Sequence, residues 1–132
     1  MPAILDTHAA IWYLLDTKNL SERVFSLIDG SAASGVPTYI SAVSLVEVVY
    51  LVEPGRIAAD GFERFVGELG QDNPAFKVFP LDYNVASALR SIPRDVVPDM
   101  PDRITAATAV HLGLPLVTRD RRLQAAGIQT IW

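Results

Sequence analysis

Four acidic side chains stand at positions where they could act on one substrate. Asp6 directly follows a short apolar run, and Asp120 follows another that includes 114–117. Asp102 lies in the first turn of a predicted helix, and Glu47 lies inside an apolar helix. In a parallel α/β sheet, the carboxyl ends of the strands and the N-termini of the helices that follow them share one edge, where ligands bind. We therefore expect these four carboxylates to project into one crevice.

Glu47 carries the strongest argument for a functional role. Its neighbours are apolar, Leu45-Val46 on one side and Val48-Val49-Tyr50-Leu51 on the other. A charge in such surroundings is costly unless it is paired or bound to a metal. If Ser41 caps the helix, Glu47 lies about 9 Å along its axis at ~1.5 Å per residue, still near the expected edge. The alternative is a capping box, Ser44-x-x-Glu47, in which the carboxylate serves only the helix start.

Ordinary structural roles compete at the other acidic positions. Asp6 also fits an N-cap of the helix that follows it, and Asp120 also fits a turn. Two aspartates share one helix start: Asp99 fits the cap and Asp102 the inward carboxylate, although both could serve. The hydroxyl groups next to these acids are supporting candidates: Thr7 and Thr118.

The chemistry of this donor set predicts a hard divalent cation. Several carboxylates at one edge would repel one another, and their pKa values would rise. An all-oxygen set suits Mg²⁺ or Mn²⁺. The chain has no cysteine, which excludes disulfides and a thiolate zinc site, and the spacing of His8 and His111 does not suit zinc. We therefore expect Mg²⁺ or Mn²⁺ as the cofactor.

The elements that would position these groups alternate along the chain between strand and helix patterns. Strands are predicted at 2–5, 37–40, 76–79, 114–117 and 128–132. Helices are predicted at 8–15, 21–28, 42–52, 57–69, 83–92 and 100–112, with a loop at 30–35. This alternation predicts an α/β fold, a three-layer α/β/α sandwich around a mainly parallel sheet. With no repeat or linker visible, residues 1–132 are expected to form a single domain.

Composition limits the partners and the location. The formal net charge of −4 argues against general nucleic-acid binding. However, nine of the eleven basic residues are arginine, whose guanidinium group can donate two parallel hydrogen bonds to phosphate oxygens. Arg103, Arg119 and Arg121 are the candidates for holding phosphate groups of a substrate. The longest apolar run, 40–52, is interrupted by Glu47 and is shorter than the ~20 residues of a membrane span. We expect a cytoplasmic protein with no membrane partner.

Four short motifs, taken in order, resemble the PIN-domain family and, within it, the VapC-type toxins of toxin–antitoxin pairs. The motifs are Leu5-Asp6-Thr7-His8, Ser41-x-x-Ser44-x-x-Glu47, Asp99-Met-Pro-Asp-Arg-Ile-Thr-Ala-Ala-Thr-Ala109 and Leu116-Val-Thr-Arg-Asp120. The resemblance extends from residue 4 to residue 132. One departure is Met100-Pro101, where many relatives carry Pro-Phe. It leaves open which of the two flanking aspartates faces the metal, and we expect Asp102.

The resemblance implies a function and partners. Asp6, Glu47, Asp102 and Asp120 match the acidic quartet with which the family holds one or two Mg²⁺ or Mn²⁺ ions, and Asp99 is a further metal candidate. The family cleaves RNA, which implies metal-assisted phosphodiester hydrolysis. A homodimer is implied as well, and so is a cognate antitoxin whose C-terminal segment covers the active site.

Two other functions remain open from the residues. A small Mg²⁺-dependent phosphohydrolase would often carry an Asp-x-Asp pair after its first strand, where this chain has Asp6-Thr7-His8. A non-catalytic interaction domain would use its acids only as helix caps, which the setting of Glu47 opposes. For the homodimer, helices 8–15 and 42–52 are expected at the interface, and aromatic residues such as Trp12 and Tyr50 are expected as core or dimer contacts.

Overall fold

A parallel five-stranded sheet forms the centre of the computed structural model, which describes residues 2–70 and 73–132. The strands are β1 (Ile4–Leu5), β2 (Thr38–Ser41), β3 (Phe76–Phe79), β4 (Leu116–Val117) and β5 (Thr130–Ile131). Their order is β3-β2-β1-β4-β5, and every neighbouring pair is parallel. The chain therefore moves outward in one direction from β1 to β3 and in the other from β4 to β5.

Helices connect the strands and cover the sheet. They are α1 (Thr7–Leu15), α2 (Glu22–Ala33), α3 (Ala42–Val52), α4 (Gly61–Glu68), α5 (Tyr83–Ala88), α6 (Met100–Leu112) and α7 (Arg121–Gln124). Short 3₁₀ turns lie at Thr17–Asn19 and Leu89–Ser91. Within the described part of the chain, no helix is both long and apolar enough to cross a membrane.

The two faces of the sheet bury two separate apolar clusters. Side chains alternate along a strand, so adjacent residues of β1 point to opposite faces. Leu5 packs into the cluster that holds α1, α2 and α4, whereas Ile4 packs into the cluster that holds α5 and α6. In β4, Val117 and Leu116 divide in the same way. The predicted three-layer α/β/α sandwich with a parallel sheet is confirmed.

This topology creates a crevice at a defined place. The strand order reverses direction between β1 and β4, which are hydrogen-bonded neighbours. In open parallel sheets, ligands bind outside the carboxyl ends of the strands at such a reversal. The residues that follow these two strands, Asp6 after β1 and Thr118 after β4, therefore flank the expected binding crevice.

Several predicted boundaries were wrong for local reasons. The loop predicted at 30–35 is mostly helical, because the left-handed backbone that ends α2 occurs at Gly35 (φ 73°) and not at Gly30. The helix predicted at 57–69 begins only at Gly61, because the N–H groups of Arg56 and Ile57 both bond back to the carbonyl of Leu51 and the chain turns first. The short helix α7 was not predicted.

Candidate active site

A cavity of about 600 Å³ opens beside the ends of β1 and β4. Its lining includes all five acidic residues singled out from the sequence: Asp6, Glu47, Asp99, Asp102 and Asp120. These residues come from the end of β1, from α3, from the start of α6 and from the end of β4. The structure thus brings carboxylates from four distant segments to one crevice.

Asp6 is the most buried of these acids, with 8% of its surface exposed. Its Oδ1 accepts a hydrogen bond from the N–H of Ala9 at 2.8 Å, so it caps α1, and its Oδ2 accepts one from the hydroxyl of Thr118. Burial raises the pKa of Asp6, and these two hydrogen bonds counter only part of that rise. Asp6 is therefore both a helix cap and a buried carboxylate of the cavity.

Thr118 joins the two strand ends that flank the cavity. Its side chain is fully buried, and its hydroxyl accepts a hydrogen bond from the N–H of Asp120 at 3.0 Å while donating to Asp6. The carboxylate of Asp120 in turn caps α7 by accepting from the N–H groups of Arg122 (2.8 Å) and Leu123 (3.2 Å). Asp120 therefore has the turn role that was its alternative interpretation, and it also lines the cavity.

Glu47 is held by a side chain from α1. The hydroxyl of Ser41 accepts from the N–H of Val43 at 3.2 Å, so α3 begins at residue 42 and the alternative capping box does not form. The Oε1 atom of Glu47 accepts from the hydroxyl of Thr7 at 2.5 Å. Burial is the main cause of a raised pKa for Glu47, and the hydrogen bond from Thr7 opposes it.

The two aspartates at the start of α6 have different surroundings. Asp99 caps the helix, because its Oδ2 accepts from the N–H of Asp102 at 3.2 Å. The half-buried carboxylate of Asp102 makes no side-chain hydrogen bond to any described residue. Burial, followed by the negative charges of Asp99, Asp120, Glu47 and Asp6, raises the pKa of Asp102 to about 7. The raised pKa of Asp102 thus reflects both its burial and the other acids that line the cavity.

The donor set fits a hydrated divalent cation better than a fully dehydrated one. Among residues 2–70 and 73–132, no three acidic or histidine side chains are arranged as a ready-made metal group. The carboxylates therefore surround the cavity without meeting at one point. Mg²⁺ commonly keeps several of its waters and takes only one or two protein carboxylates. The oxygen donors, the buried Asp6 and the mutual repulsion at Asp102 all fit such an ion.

The three arginines predicted to bind phosphate lie in different surroundings. Arg119 lines the cavity, with its guanidinium carbon 4.5 Å from the ring centre of Trp12 and 5.9 Å from that of Trp132. Arg121 is exposed in α7 but is not part of the cavity lining. Arg103 is not part of the cavity lining, and its Nη2 donates to the carbonyls of Leu89 and Ile92, both at 3.0 Å. Arg103 therefore fastens α6 to the preceding turn.

Four further residues complete the cavity and were not predicted as part of it: His8, Trp12, Leu51 and Arg56. Trp12 lies five residues after Thr7 in α1, where its aromatic ring suggested a core contact. His8 is exposed, and its charge lowers the pKa of both Asp6 and Glu47. Arg56 lies in an irregular turn after α3. His8 and Trp12 lie on the helix that Asp6 caps, and Leu51 lies one turn after Glu47 in α3, so each could have been placed near the site from the sequence.

Comparison with known proteins agrees with the resemblance seen in the motifs. The sequence pattern of the PIN domain matches residues 3–128. Ribonuclease VapC22 of Mycobacterium tuberculosis (strain ATCC 25618 / H37Rv) is 29% identical over 123 residues, which cover 92% of this chain and 89% of the relative.

Two solved structures share the fold. A chain in the crystal structure of VapBC2 from Rickettsia felis, bound to a DNA fragment from its promoter, aligns with a TM-score of 0.75 at 12% identity, covering 99% of this chain and 98% of that one. A chain in a toxin–antitoxin complex from Klebsiella pneumoniae aligns with a TM-score of 0.65 at 19% identity, covering 98% and 96%. Because the PIN pattern spans almost the whole sequence, this chain belongs to the PIN-domain family.

Proposed function

We propose that this chain is an endoribonuclease dependent on Mg²⁺ or Mn²⁺ that hydrolyses RNA phosphodiester bonds. The observation that carries the proposal is the ring of carboxylates, including the buried Asp6, around one cavity at the reversal point of the sheet. Membership of the PIN-domain family and the ribonuclease name of the Mycobacterium relative support it. Residues 1–132 would act as one nuclease domain.

Each acid has a proposed role. Asp6 and Asp102 would be direct ligands of the ion, and Glu47 and Asp120 would complete the set directly or through water, with Asp99 as a further candidate. When bound, the ion would activate a water and stabilise the charge that develops on phosphorus. Thr118 orients Asp6, and Thr7 orients Glu47, so the ligand carboxylates are held before substrate arrives.

Arg119 is the proposed phosphate-binding residue of the cavity. Although several carboxylates surround the same cavity, its guanidinium forms no ion pair within the described chain and stacks on Trp12 instead. Stacking holds the guanidinium by its face and leaves its N–H donors available in the plane. Arg119 can therefore donate two hydrogen bonds to a phosphate next to the scissile bond. Arg121 would contact RNA outside the cavity.

We further propose that the nuclease is the toxin of a toxin–antitoxin pair. The Klebsiella structure with the same fold is a toxin–antitoxin complex. A cognate antitoxin would cover the cavity with its C-terminal segment. The chain would form a homodimer and act on cytoplasmic RNA. The exposed side chains of α3, Val46 and Tyr50, are the proposed dimer contacts, whereas Ala9, Ala10 and Ile11 of α1 are already buried within the chain.

The alternative functions make different demands on the cavity. A phosphomonoesterase would need a second acid two residues after Asp6, where the chain has the exposed His8. A non-catalytic interaction domain would need no acid beyond the helix caps, yet Glu47 and Asp102 cap no helix and line the cavity. The endoribonuclease proposal accounts for all five acids.

The first test is RNA cleavage by the purified chain with and without metal. We expect cleavage of single-stranded RNA in Mg²⁺ or Mn²⁺, loss of cleavage in EDTA and recovery when the metal is restored, measured on labelled RNA by gel. A DNA strand of the same sequence and a phosphomonoester are run in parallel. Hydrolysis of the phosphomonoester alone would favour the phosphohydrolase, and the absence of hydrolysis together with no metal-dependent thermal shift would favour the interaction domain.

Arg119→Ala is expected to raise the KM for RNA by about 10-fold, because a charge-assisted hydrogen bond to phosphate contributes about 1.5–3 kcal/mol. The change in kcat should be smaller, since the variant leaves the carboxylates in place. Steady-state kinetics on labelled RNA provide the measurement. Arg94→Ala, which removes an exposed arginine outside the cavity, is the matched control. Equal KM values for the two variants would remove Arg119 from the substrate site.

A further inference from the structure

A buried pair of hydroxyl groups lies behind Glu47. The hydroxyls of Thr7 and Ser44 are 2.8 Å apart, and the Thr7 hydroxyl is also 2.5 Å from Oε1 of Glu47. Thr7 is 4% exposed and Ser44 is fully buried. The three side chains thus form one chain of hydrogen bonds that runs from the interior of α3, through the first residue of α1, to the cavity.

The number of protons fixes the direction of this chain when Glu47 is ionised. A carboxylate can only accept hydrogen bonds, and a hydroxyl carries one proton. The Thr7 hydroxyl therefore donates its hydrogen bond to Glu47, and its oxygen is left to accept one from Ser44. Ser44 must then be the donor of the 2.8 Å bond. Each hydrogen bond polarises the next, so the donation from Ser44 strengthens the one that Glu47 receives.

The chain also sets which oxygen of Glu47 remains available. Oε1 is occupied by Thr7, whereas Oε2 makes no hydrogen bond with any residue that the structure describes. Because Oε2 is not a buried atom without a partner, it is accessible, and Glu47 lines the cavity. Ser44 and Thr7 thus hold one oxygen and leave the other for a ligand.

We propose that Ser44 is a positioning residue of the active site, acting through Thr7 to hold Glu47 in its metal-binding orientation. This inference rests on the proposed function, because it concerns the same site. Groups that orient a metal-ligating side chain typically change metal affinity by about 10- to 100-fold when they are removed. Ser44 touches neither the ion nor the substrate, so its effect must pass through the hydroxyl of Thr7.

Three variants and two matched controls test the proposal. Ser44→Ala removes the terminal donor, Thr7→Val removes the link, and Thr7→Ser keeps the hydroxyl while removing a methyl group. Thr108→Val is the control for Thr7→Val, because the buried Thr108 hydroxyl bonds to the carbonyl of Ile104 within α6 at 2.7 Å. Ser31→Ala is the control for Ser44→Ala, because it removes a buried serine hydroxyl from α2, outside the cavity.

Mn²⁺ affinity is the main readout, measured by calorimetry and by thermal shift without RNA. We expect about a 10-fold weaker Kd in Thr7→Val and about a 3-fold weaker Kd in Ser44→Ala, with Thr7→Ser and both controls close to wild type. In the cleavage assay, the loss in Ser44→Ala should be recovered at high Mn²⁺, with KM for RNA unchanged. Wild-type Mn²⁺ affinity in Ser44→Ala would overturn the proposal, whatever the affinity of Thr7→Val.

A metal-free measurement separates this inference from the proposed function. Urea unfolding of Ser44→Ala, Glu47→Ala and the double variant gives the coupling between the two residues, because alanine leaves no acceptor for the hydroxyl of Thr7. We expect a coupling of at least about 2-fold in the unfolding equilibrium constant, and its disappearance in the Thr7→Val background. Additive effects would overturn the positioning role. If wild type binds no Mn²⁺ but the coupling is present, the metal-dependent function fails while the link from Ser44 to Glu47 stands.

Discussion

Asp6→Asn is expected to lower RNA cleavage in Mg²⁺ by at least about 1,000-fold, which corresponds to about 4 kcal/mol of lost transition-state stabilisation. The change removes the negative charge of the most buried carboxylate in the cavity. Asparagine caps helices as well as aspartate does, so its Oδ1 can still accept from the N–H of Ala9. The variant therefore keeps the fold of α1 while it loses the proposed metal ligand.

The stability of Asp6→Asn distinguishes a functional role from a structural one. Because burial raises the pKa of Asp6, the ionised form is disfavoured in the folded chain, and a neutral side chain removes that cost. We expect the melting temperature of the metal-free variant to equal or exceed that of wild type, by differential scanning fluorimetry. Asp82→Asn is the matched control, because Asp82 caps α5 through the N–H of Val85 at 2.9 Å and lies outside the cavity. Undiminished cleavage by Asp6→Asn would rule out a metal-ligand role.

The sequence was most informative where local chemistry and topology point the same way. Asp6 follows a strand and precedes a helix, so its cap role and its place at the sheet edge both follow from the same two neighbours. Glu47 was identified by the cost of a charge among apolar residues, and the Ser41 cap placed it within reach of the edge. In both cases, residues close in sequence are enough to place the acid at the sheet edge.

Side-chain partners from distant segments could not be predicted in the same way. The approach of Thr7 to Ser44 spans 37 positions, and the bond from Thr118 to Asp6 spans 112. Neither depends on a local pattern, because each is set by how α1 packs on α3 and how β1 pairs with β4. Arg103 shows the same limit: its residue type suggested a phosphate contact, but its Nη2 donates to the carbonyls of Leu89 and Ile92.

Asp102→Asn is expected to stabilise the metal-free chain at pH 8 while abolishing metal-dependent cleavage. The pKa of Asp102 is raised from its ordinary 3.8 to about 7, first by burial and then by the neighbouring acids. Between these two values the folded chain holds a proton that the unfolded chain has released. Stability therefore falls as the pH rises through this range, and the contribution is fully lost above pH 7.

The size of this effect is reduced by solvent. A shift of about three pKa units would be worth about 4 kcal/mol for a fully buried group, but Asp102 is only half-buried, so screening lowers the expected effect to about 1–2 kcal/mol. At ~2–4 °C per kcal/mol, the melting temperature of metal-free wild type should fall by several degrees between pH 5 and pH 8. Asp102→Asn should remove the part of that fall that comes from Asp102, whereas Asp6 and Glu47, whose pKa values are also raised, should still contribute theirs.

Metal should oppose this loss of stability at high pH, because the ion would bind the carboxylate that forms when Asp102 loses its proton. Mg²⁺ ought to stabilise wild type more at pH 8 than at pH 6, since Asp102 must lose its proton to act as a ligand. Asp95→Asn, which changes an exposed acid outside the cavity, is the control and should follow the wild-type pH dependence. If the melting temperature of the metal-free chain falls with pH as steeply in Asp102→Asn as in wild type, the raised pKa does not belong to this carboxyl. An Asp102→Asn variant that still shows the full Mg²⁺ stabilisation at pH 8 would exclude Asp102 as a ligand, because the site would then bind the ion without it.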